Sequence, residues 1–329
     1  MRKKRKPSVK KIYAKVVSAV LLLVSVIALF FFINDRFLKI DGIPTSNDVI
    51  IFFGGGIKPL IKPKDNEAVV HFIDVGQADC ELIVTKDYSV LIDSGTEDNI
   101  GNLLGYLNFQ DIKKLDLVIC THPHADHIGG MYKILMNYKV DKLIMPKIPV
   151  DMVPETLSYI KMMAEIELNN IDVQYANVGE KYVFDEDTFI EILAPSDDYY
   201  DDLNDFSIVA KFVDGDNSFL FTGDLTSLSE KDMIESGADF DVDVLKVGHH
   251  GSAGSSSSEF LEIVTPKIAV FEVAEINYYG HPRSEVFERL EQAGCTEYYV
   301  TSRDGNIVIV SNGTELRVET EKQYPKNAA

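Results

Sequence analysis

With 329 residues, 46% of them hydrophobic, the chain is long enough for one large domain or two smaller ones and has the composition of a protein with a packed core. Its formal net charge is −20, unevenly placed: residues 1–15 carry eight Lys or Arg and no acid, which leaves 24 basic against 52 acidic residues, a balance of −28, in the remainder. A body that acidic repels nucleic acid at long range, which excludes a domain built on a broad basic face; any cationic groove has to be local.

Val16 to Ile33 is a run of 18 residues without a charge, just long enough for a helix to cross the hydrocarbon core of a bilayer. The basic segment before it stays in the cytoplasm by the positive-inside rule. The competing reading is a cleaved signal peptide, but the run ends in the bulky Phe30-Phe31-Phe32-Ile33 rather than in the small residues of a cleavage site. The expectation is a single-pass cell-membrane protein: residues 1–15 a cytoplasmic tail, 16–33 the transmembrane anchor, and the large domain extracytoplasmic. Residues 34–66, with Gly54-Gly55-Gly56, Pro59 and Pro63, read as a linker. The triple glycine lacks the Gly-Lys-Ser/Thr ending of a phosphate-binding loop. Cys80, Cys120 and Cys295 are too scattered for a zinc pair or a disulfide framework.

From Ala68 the sequence turns strand-like: Val69 to Val75, then Cys80 to Thr85 and Tyr88 to Ile92, ended by Asp93-Ser94-Gly95. His71, inside the first run, reads as a core or surface residue. Ile100 to Leu107 is a helix, and Leu115 to Cys120 is a short apolar run of the buried-strand kind. That run opens into Thr121-His122-Pro123-His124-Ala125-Asp126-His127, which holds three of the chain's seven histidines, and then into Gly129-Gly130 and a helix from Met131 to Tyr138. Neutral imidazole and carboxylate are good zinc ligands. The tight spacing lets His122 and His124 converge on one ion while Asp126 and His127 turn toward a second. A loop leaving a strand is a usual place for site residues.

Further strands are expected at 142–145, 173–176, 188–193, 218–221, 243–247 and 268–273, with helices at 154–169 and 284–293 and a last hairpin at 306–310 and 315–319. Asp197 to Asp202 reads as a solvated acidic loop. Polar punctuation falls at Asn204-Asp205-Phe206-Ser207, Thr222-Gly223-Asp224, Gly248-His249-His250-Gly251-Ser252 and Asn277-Tyr278-Tyr279-Gly280-His281-Pro282. In an extended chain the adjacent His249 and His250 point in different directions. Ala253 to Ser258 reads as a loop at the lip of a site.

The His-x-His-x-Asp-His stretch matches at every position the signature of the metallo-β-lactamase superfamily. Phe72-Ile73-Asp74-Val75-Gly76-Gln77, Asn204 to Ser207, Tyr279-Gly280-His281-Pro282 and the Arg303-Asp304-Gly305 hairpin resemble one branch of it. That branch contains the hydrolase domain of ComEC, the DNA-uptake protein of competent bacteria, and its stand-alone relatives; Ala78 stands where the branch usually has Gly. The resemblance covers about residues 67–320 and implies an α/β, four-layer αββα sandwich, here preceded by one transmembrane helix and followed by a polar tail at 321–329.

It further implies two divalent metal ions, most simply zinc with manganese as the alternative, held by His122, His124, Asp126, His127, Asp224 and one of His249 and His250. His249 is favoured, the other imidazole then contacting substrate or supporting the ligands. Asp224 matches the acid that bridges the metals, and Asp93 the acid that orients the metal loop by hydrogen bonds, a role compatible with a turn-forming Asp. Asp126 also orients the attacking water, and His281 contacts substrate or leaving group. Asn204, Ser207, Ser252 and Asn277 support the ligands or touch substrate. Many superfamily members carry a lone histidine between the main cluster and the next acid; here none lies between His127 and His249, and Asn204 and Ser207 stand in that interval as ligand support or as a strand-edge turn. The implied function is a membrane-anchored, extracytoplasmic, metal-dependent phosphodiesterase, with DNA as one candidate substrate. The alternatives are an envelope or phosphorylcholine-type phosphodiesterase and a non-catalytic, metal-stabilised binding module. No protein partner is expected.

Overall fold

The computed structural model describes residues 25–27, 29–30, 61–197 and 199–322. Contacts divide the chain into residues 1–59 and 60–329. Of the first unit only residues 25–27 and 29–30 are described, as helix. The anchor expected at 16–33 and the linker at 34–66 therefore lie largely outside the described residues. Among the described residues no helix is long and apolar enough to cross a membrane.

The second unit opens on β1 (Ala68–Phe72), β2 (Glu81–Val84), β3 (Ser89–Ile92), β4 (Leu117–Ile119), β5 (Leu143–Met145) and β6 (Val173–Tyr175). It continues with β7 (Lys181–Asp185), β8 (Thr188–Ala194), β9 (Val209–Asp214), β10 (Asn217–Phe221), β11 (Val244–Lys246), β12 (Ile268–Phe271) and β13 (Glu297–Val300), and closes on β14 (Ile307–Ser311) and β15 (Leu316–Thr320). One large sheet has the order β15-β14-β1-β2-β3-β4-β5-β6 and the second large sheet β13-β12-β11-β10-β9-β8-β7, while Lys114–Leu115 and Lys139–Val140 pair as a small third. The helices are α1 (Ile100–Phe109), α2 (Ala125–Ile128), α3 (Met131–Asn137), α4 (Leu157–Asn169), α5 (Ser227–Ser236), α6 (Ser258–Val264), α7 (Ser284–Gln292) and α8 (Thr301–Asp304).

Successive strand residues face opposite sides of a sheet, so strands covered on both faces read as unbroken apolar runs. Ile83, Ile119 and Phe221 turn inward and meet Phe72, Phe212 and Val270 between the sheets. Their neighbours Leu82, Val118 and Leu220 turn outward. The first two pack under Leu103, Ile134 and Met162 of α1, α3 and α4. Leu220 packs with Met233, Phe260 and Leu290 of α5, α6 and α7. The result is the four-layer αββα sandwich implied by the resemblance.

Strands β3, β4 and β5 run parallel, as do β10, β11 and β12, so their carboxyl ends deliver loops to one edge of the sandwich. Elements outside the sequence expectations include β7, β9, β13, α5 and α6. In β9 the run is broken by Lys211, whose ammonium is satisfied by Asp239 and by the carbonyl of Asp241 at 3.0 Å. The edge strand β7 alternates exposed and half-buried residues. Helix α5 is mostly polar and held by its ends: Thr226 accepts from Leu228 N–H, and Gly237 takes the left-handed closing conformation at φ 68°.

Candidate metal centre

The loop after β4 is fixed by Asp93, at the end of the neighbouring β3. Its own N–H donates to Ile119 O at 2.8 Å. Its carboxylate accepts the Thr121 N–H at 2.8 Å, the Thr121 hydroxyl at 2.5 Å and the His127 Nδ1–H at 2.7 Å. The bond from Nδ1 sets the His127 tautomer and turns Nε2 away from the loop, the usual service of an outer carboxylate to a ligating histidine. His127 Nε2 then lies 3.2 Å from Asp224 Oδ1 without the alignment of a hydrogen bond.

Asp224 arrives on the turn after β10. Gly223 there has φ 50°, and a Cβ on it would stand 3.0 Å from the Thr121 Cβ, so the two loops interlock only with glycine in that place. The Asp224 N–H donates to Ser207 Oγ at 3.1 Å. After β11 the chain does not run extended, as the sequence suggested. His249 and His250 both adopt left-handed backbone, at φ 51° and 53°. The curl is held by His249 N–H donating to Gly223 O at 3.0 Å and Ser252 N–H to His249 O at 2.9 Å. It buries His250 and leaves His249 at the mouth. His250 Nδ1–H donates to Glu272 O at 2.9 Å, and Asp79 Oδ1 lies 3.0 Å from the same nitrogen without the alignment of a hydrogen bond. Its Nε2 faces Asp126 Oδ2 at 3.5 Å and Asp224 Oδ1 at 3.7 Å. His250, not the favoured His249, thus joins the donor group; His249 Nε2 stands 3.5 Å from Asp224 Oδ2 at its side.

Asp126, His127, Asp224 and His250 each offer one donor atom, all within 4.8 Å of one another. His127 Nε2, His250 Nε2 and Asp224 Oδ1 are buried without a hydrogen-bond partner. Buried polar atoms are nearly always paired, so three bare ones converging fit a cation, and the two-nitrogen, two-oxygen set suits zinc. The electrostatics agree. Burial opposes charge on His250, yet Asp224 and Asp79 overcome it and lift its pKa to about 10. Burial likewise opposes ionisation of Asp126, but the nearby His250 imidazole and the charge of His127 hold its pKa at about 2. The pocket favours positive charge between ionised carboxylates. His122 and His124 adjoin it, with Nε2 and Nδ1 3.0 Å apart. Burial and then His127 keep the His122 pKa well below its ordinary value. Among the described residues these two form no group of three donors. Ser207 Oγ lies 3.4 Å from His122 Nδ1, and Asn204 Oδ1 is buried without a hydrogen-bond partner.

The family model for the metallo-beta-lactamase superfamily matches residues 73–274. The chain belongs to that superfamily. It is 28% identical over 272 residues to ComE operon protein 3 of Bacillus subtilis (strain 168), which takes in 74% of this chain and 34% of that protein. It is 30% identical over 236 residues to Competence protein ComA of Neisseria gonorrhoeae, covering 70% of this chain and 30% of that one. Its relatives are thus ComEC-like competence proteins, and the chain spans about a third of the length of those it matches. Among solved structures, Igni18, a metallo hydrolase from Ignicoccus hospitalis, aligns over 73% of this chain and 98% of its own at 17% identity and TM-score 0.48.

The superfamily fold and the donor cluster mark the chain as a superfamily hydrolase with a metal-type site. Around that site His281 stands edge-on to His249, ring centroids 5.9 Å apart. Asn277 fixes the loop that carries it, its amide donating to His281 O at 2.7 Å and its Oδ1 accepting His281 N–H at 3.0 Å. Ser252 is occupied locally, its hydroxyl accepting Gly254 N–H at 3.3 Å.

Sequence reasoning passed over the charged floor. Asp79, Lys246 and Glu272 are all buried. The Lys246 ammonium pairs with Asp79, whose other oxygen lies 3.0 Å from His250 Nδ1, while the Asp79 N–H donates to Asp126 O at 3.3 Å. Burial and then the Asp79 charge push the Glu81 carboxyl beside them up to about 8. The available signal was a lone Lys in the apolar run Val244-Leu245-Lys246-Val247, just before the histidine pair; a charge inside a buried strand requires a partner.

Proposed function

We propose that the protein is a membrane-anchored, extracytoplasmic, metal-dependent phosphodiesterase, with residues 16–33 as its anchor. The observation that carries the reading is the convergence of bare donor atoms from His127, His250 and Asp224, with Asp126 alongside. In this reading those four hold one divalent ion, most simply zinc, and His122 with His124 begins a second site beside it. When bound, such an ion supplies an activated water and positive charge toward the phosphoryl oxygens. The chain's own groups do the rest. Asp93 and the Glu272 carbonyl hold the imidazoles of His127 and His250 in one tautomer. Asp126, the partly exposed carboxylate of the four, accepts a hydrogen bond from the attacking water and aims it. Burial, then His249 and His250, keep the His281 pKa at about 4, so its imidazole is neutral, and its Nδ1 is buried without a hydrogen-bond partner. It offers a hydrogen bond to the phosphoryl group or leaving oxygen. The resemblance to the hydrolase domain of the ComEC DNA-uptake protein supports DNA as a substrate; the acidic balance of the chain favours small diesters.

The test is metal analysis of the purified full chain with assays on bis(p-nitrophenyl) phosphate, single-stranded DNA and nitrocefin. Diester hydrolysis that is lost in His250→Ala and His124→Ala supports the reading. Nitrocefin turnover alone overturns it in favour of a lactamase, and bound metal without turnover of any of the three in favour of a binding module.

A further inference from the structure

The loop from Ala274 to Arg283 leaves β12 at the site edge and is braced throughout. Ala274 N–H donates to Gln77 Oε1 at 3.3 Å, and Arg283 N–H to Gly251 O at 2.9 Å. Asn277 ties its interior through the bonds to His281 and a third to Ala274 O at 3.0 Å. On this fixed frame the tip carries two solvent-facing aromatic rings: Tyr278 is 107% exposed and Tyr279 61%. Tyr279 stacks on His281 with ring centroids 5.7 Å apart and planes 12° from parallel. His281 in turn meets His249 beside Asp224. A ladder of flat rings therefore runs from solvent to the donor cluster. Arg283 donates from Nη2 to Tyr279 O at 2.7 Å, which sets a guanidinium beside the ladder.

We infer that Tyr278 and Tyr279 are specificity residues that stack the unpaired base next to the scissile phosphate, with Arg283 beside the backbone. The inference rests on the phosphodiesterase reading and narrows its substrate to single-stranded nucleic acid. The Tyr279 face, aligned with the His281 ring it stacks on, and the exposed Tyr278 beside it suit a flat base better than an acyl chain, and bases locked in a duplex present no free face. The chain as a whole is acidic, at −20, so long-range charge works against binding and stacking has to carry the affinity. The salt dependence should accordingly be shallow, near that of a single phosphate contact.

The experiment compares the metal-loaded full chain with Tyr278→Ala and Tyr279→Ala on an oligothymidylate and on the same oligomer with an abasic site at the cleaved step. Loss of a stacking contact raises KM for the normal oligomer by about fivefold or more. KM for the abasic oligomer stays at the wild-type value, which also reports that the variants are folded and active. Fluorescence anisotropy of both oligomers on metal-free protein gives the same comparison without turnover. Equal effects of the substitutions on both oligomers, or equal wild-type affinity for both, overturn the inference. If wild type also hydrolyses bis(p-nitrophenyl) phosphate, the phosphodiesterase reading survives that failure. Binding of phosphatidylcholine vesicles that is lost in Tyr278→Ala, with no discrimination between oligomers, overturns it in favour of a lipid contact.

Discussion

Lys246→Met tests whether the buried ion pair under the site both holds the fold and aims a ligand. Lys246 is wholly buried and its ammonium pairs with Asp79. Burial opposes its charge, but Asp79, Glu81 and Glu272 overcome that and hold its pKa above the ordinary value. Met fills nearly the same space, so the cost is electrostatic rather than a cavity. Removing one partner of a buried pair costs about 3–5 kcal/mol, because the other charge is left uncompensated. At about 2–4 °C per kcal/mol for a domain of this size, Tm should fall by about 6–20 °C. Urea unfolding and calorimetry of the metal-free chain measure this. Asp79 freed of Lys246 no longer holds His250 in one orientation, so zinc affinity by chelator competition should drop about 10- to 100-fold. The double variant Lys246→Met with Asp79→Leu replaces the pair by apolar groups and should recover much of the stability. Its zinc affinity should stay low, since His250 Nδ1 has lost its carboxylate. A single variant within about 0.5 kcal/mol of wild type, the range of an ordinary surface substitution, refutes the ion-pair argument. A destabilised variant with unchanged zinc affinity refutes the link to His250.

Asp224→Asn weakens the charge shared by His127 and His250, so bound metal measured by mass spectrometry should fall to less than half of wild type; full occupancy would contradict the donor assignment. His71, packed against Tyr106, gives a pH signature independent of the site, since burial alone depresses its pKa from 6.5 to about 3. Its contribution is complete above pH 6.5 and is lost as pH falls toward 3, at up to about 1.4 kcal/mol per pH unit. His71→Gln should flatten denaturation midpoints across that window, and an unchanged slope there would exclude His71 as its source. Gly251 has φ 83°, and an added Cβ would stand 2.7 Å from the Pro282 Cβ and 2.9 Å from the Phe271 ring. Gly251→Ala should therefore cost about 1–3 kcal/mol in urea unfolding, and a neutral result would mean that the His249–Ser252 curl has slack.

What could be read from the sequence divides according to how local its cause is. The buried strands were legible because strands covered on both faces must be continuously apolar, as in Leu115 to Cys120, and the histidine-rich loop because its candidate donors lie within six residues of one another, whereas the sandwich itself came from the family resemblance. The choice between His249 and His250 was not legible. It depends on two successive left-handed residues, which are held by the bond from His249 to the carbonyl of Gly223 on another strand's loop. Asp79 and Lys246 lie 167 positions apart, and each alone looks like an ordinary surface charge. Yet Lys246, Glu81 and Glu272 all interrupt or border apolar strand runs, and all prove to be buried. Such a charge is affordable only where an opposite charge or a proton meets it, which makes the set self-selecting. Strands β11 and β12 end, and β2 begins, at the same edge of the sandwich, so these three charges lie beneath the site that the histidines face from above.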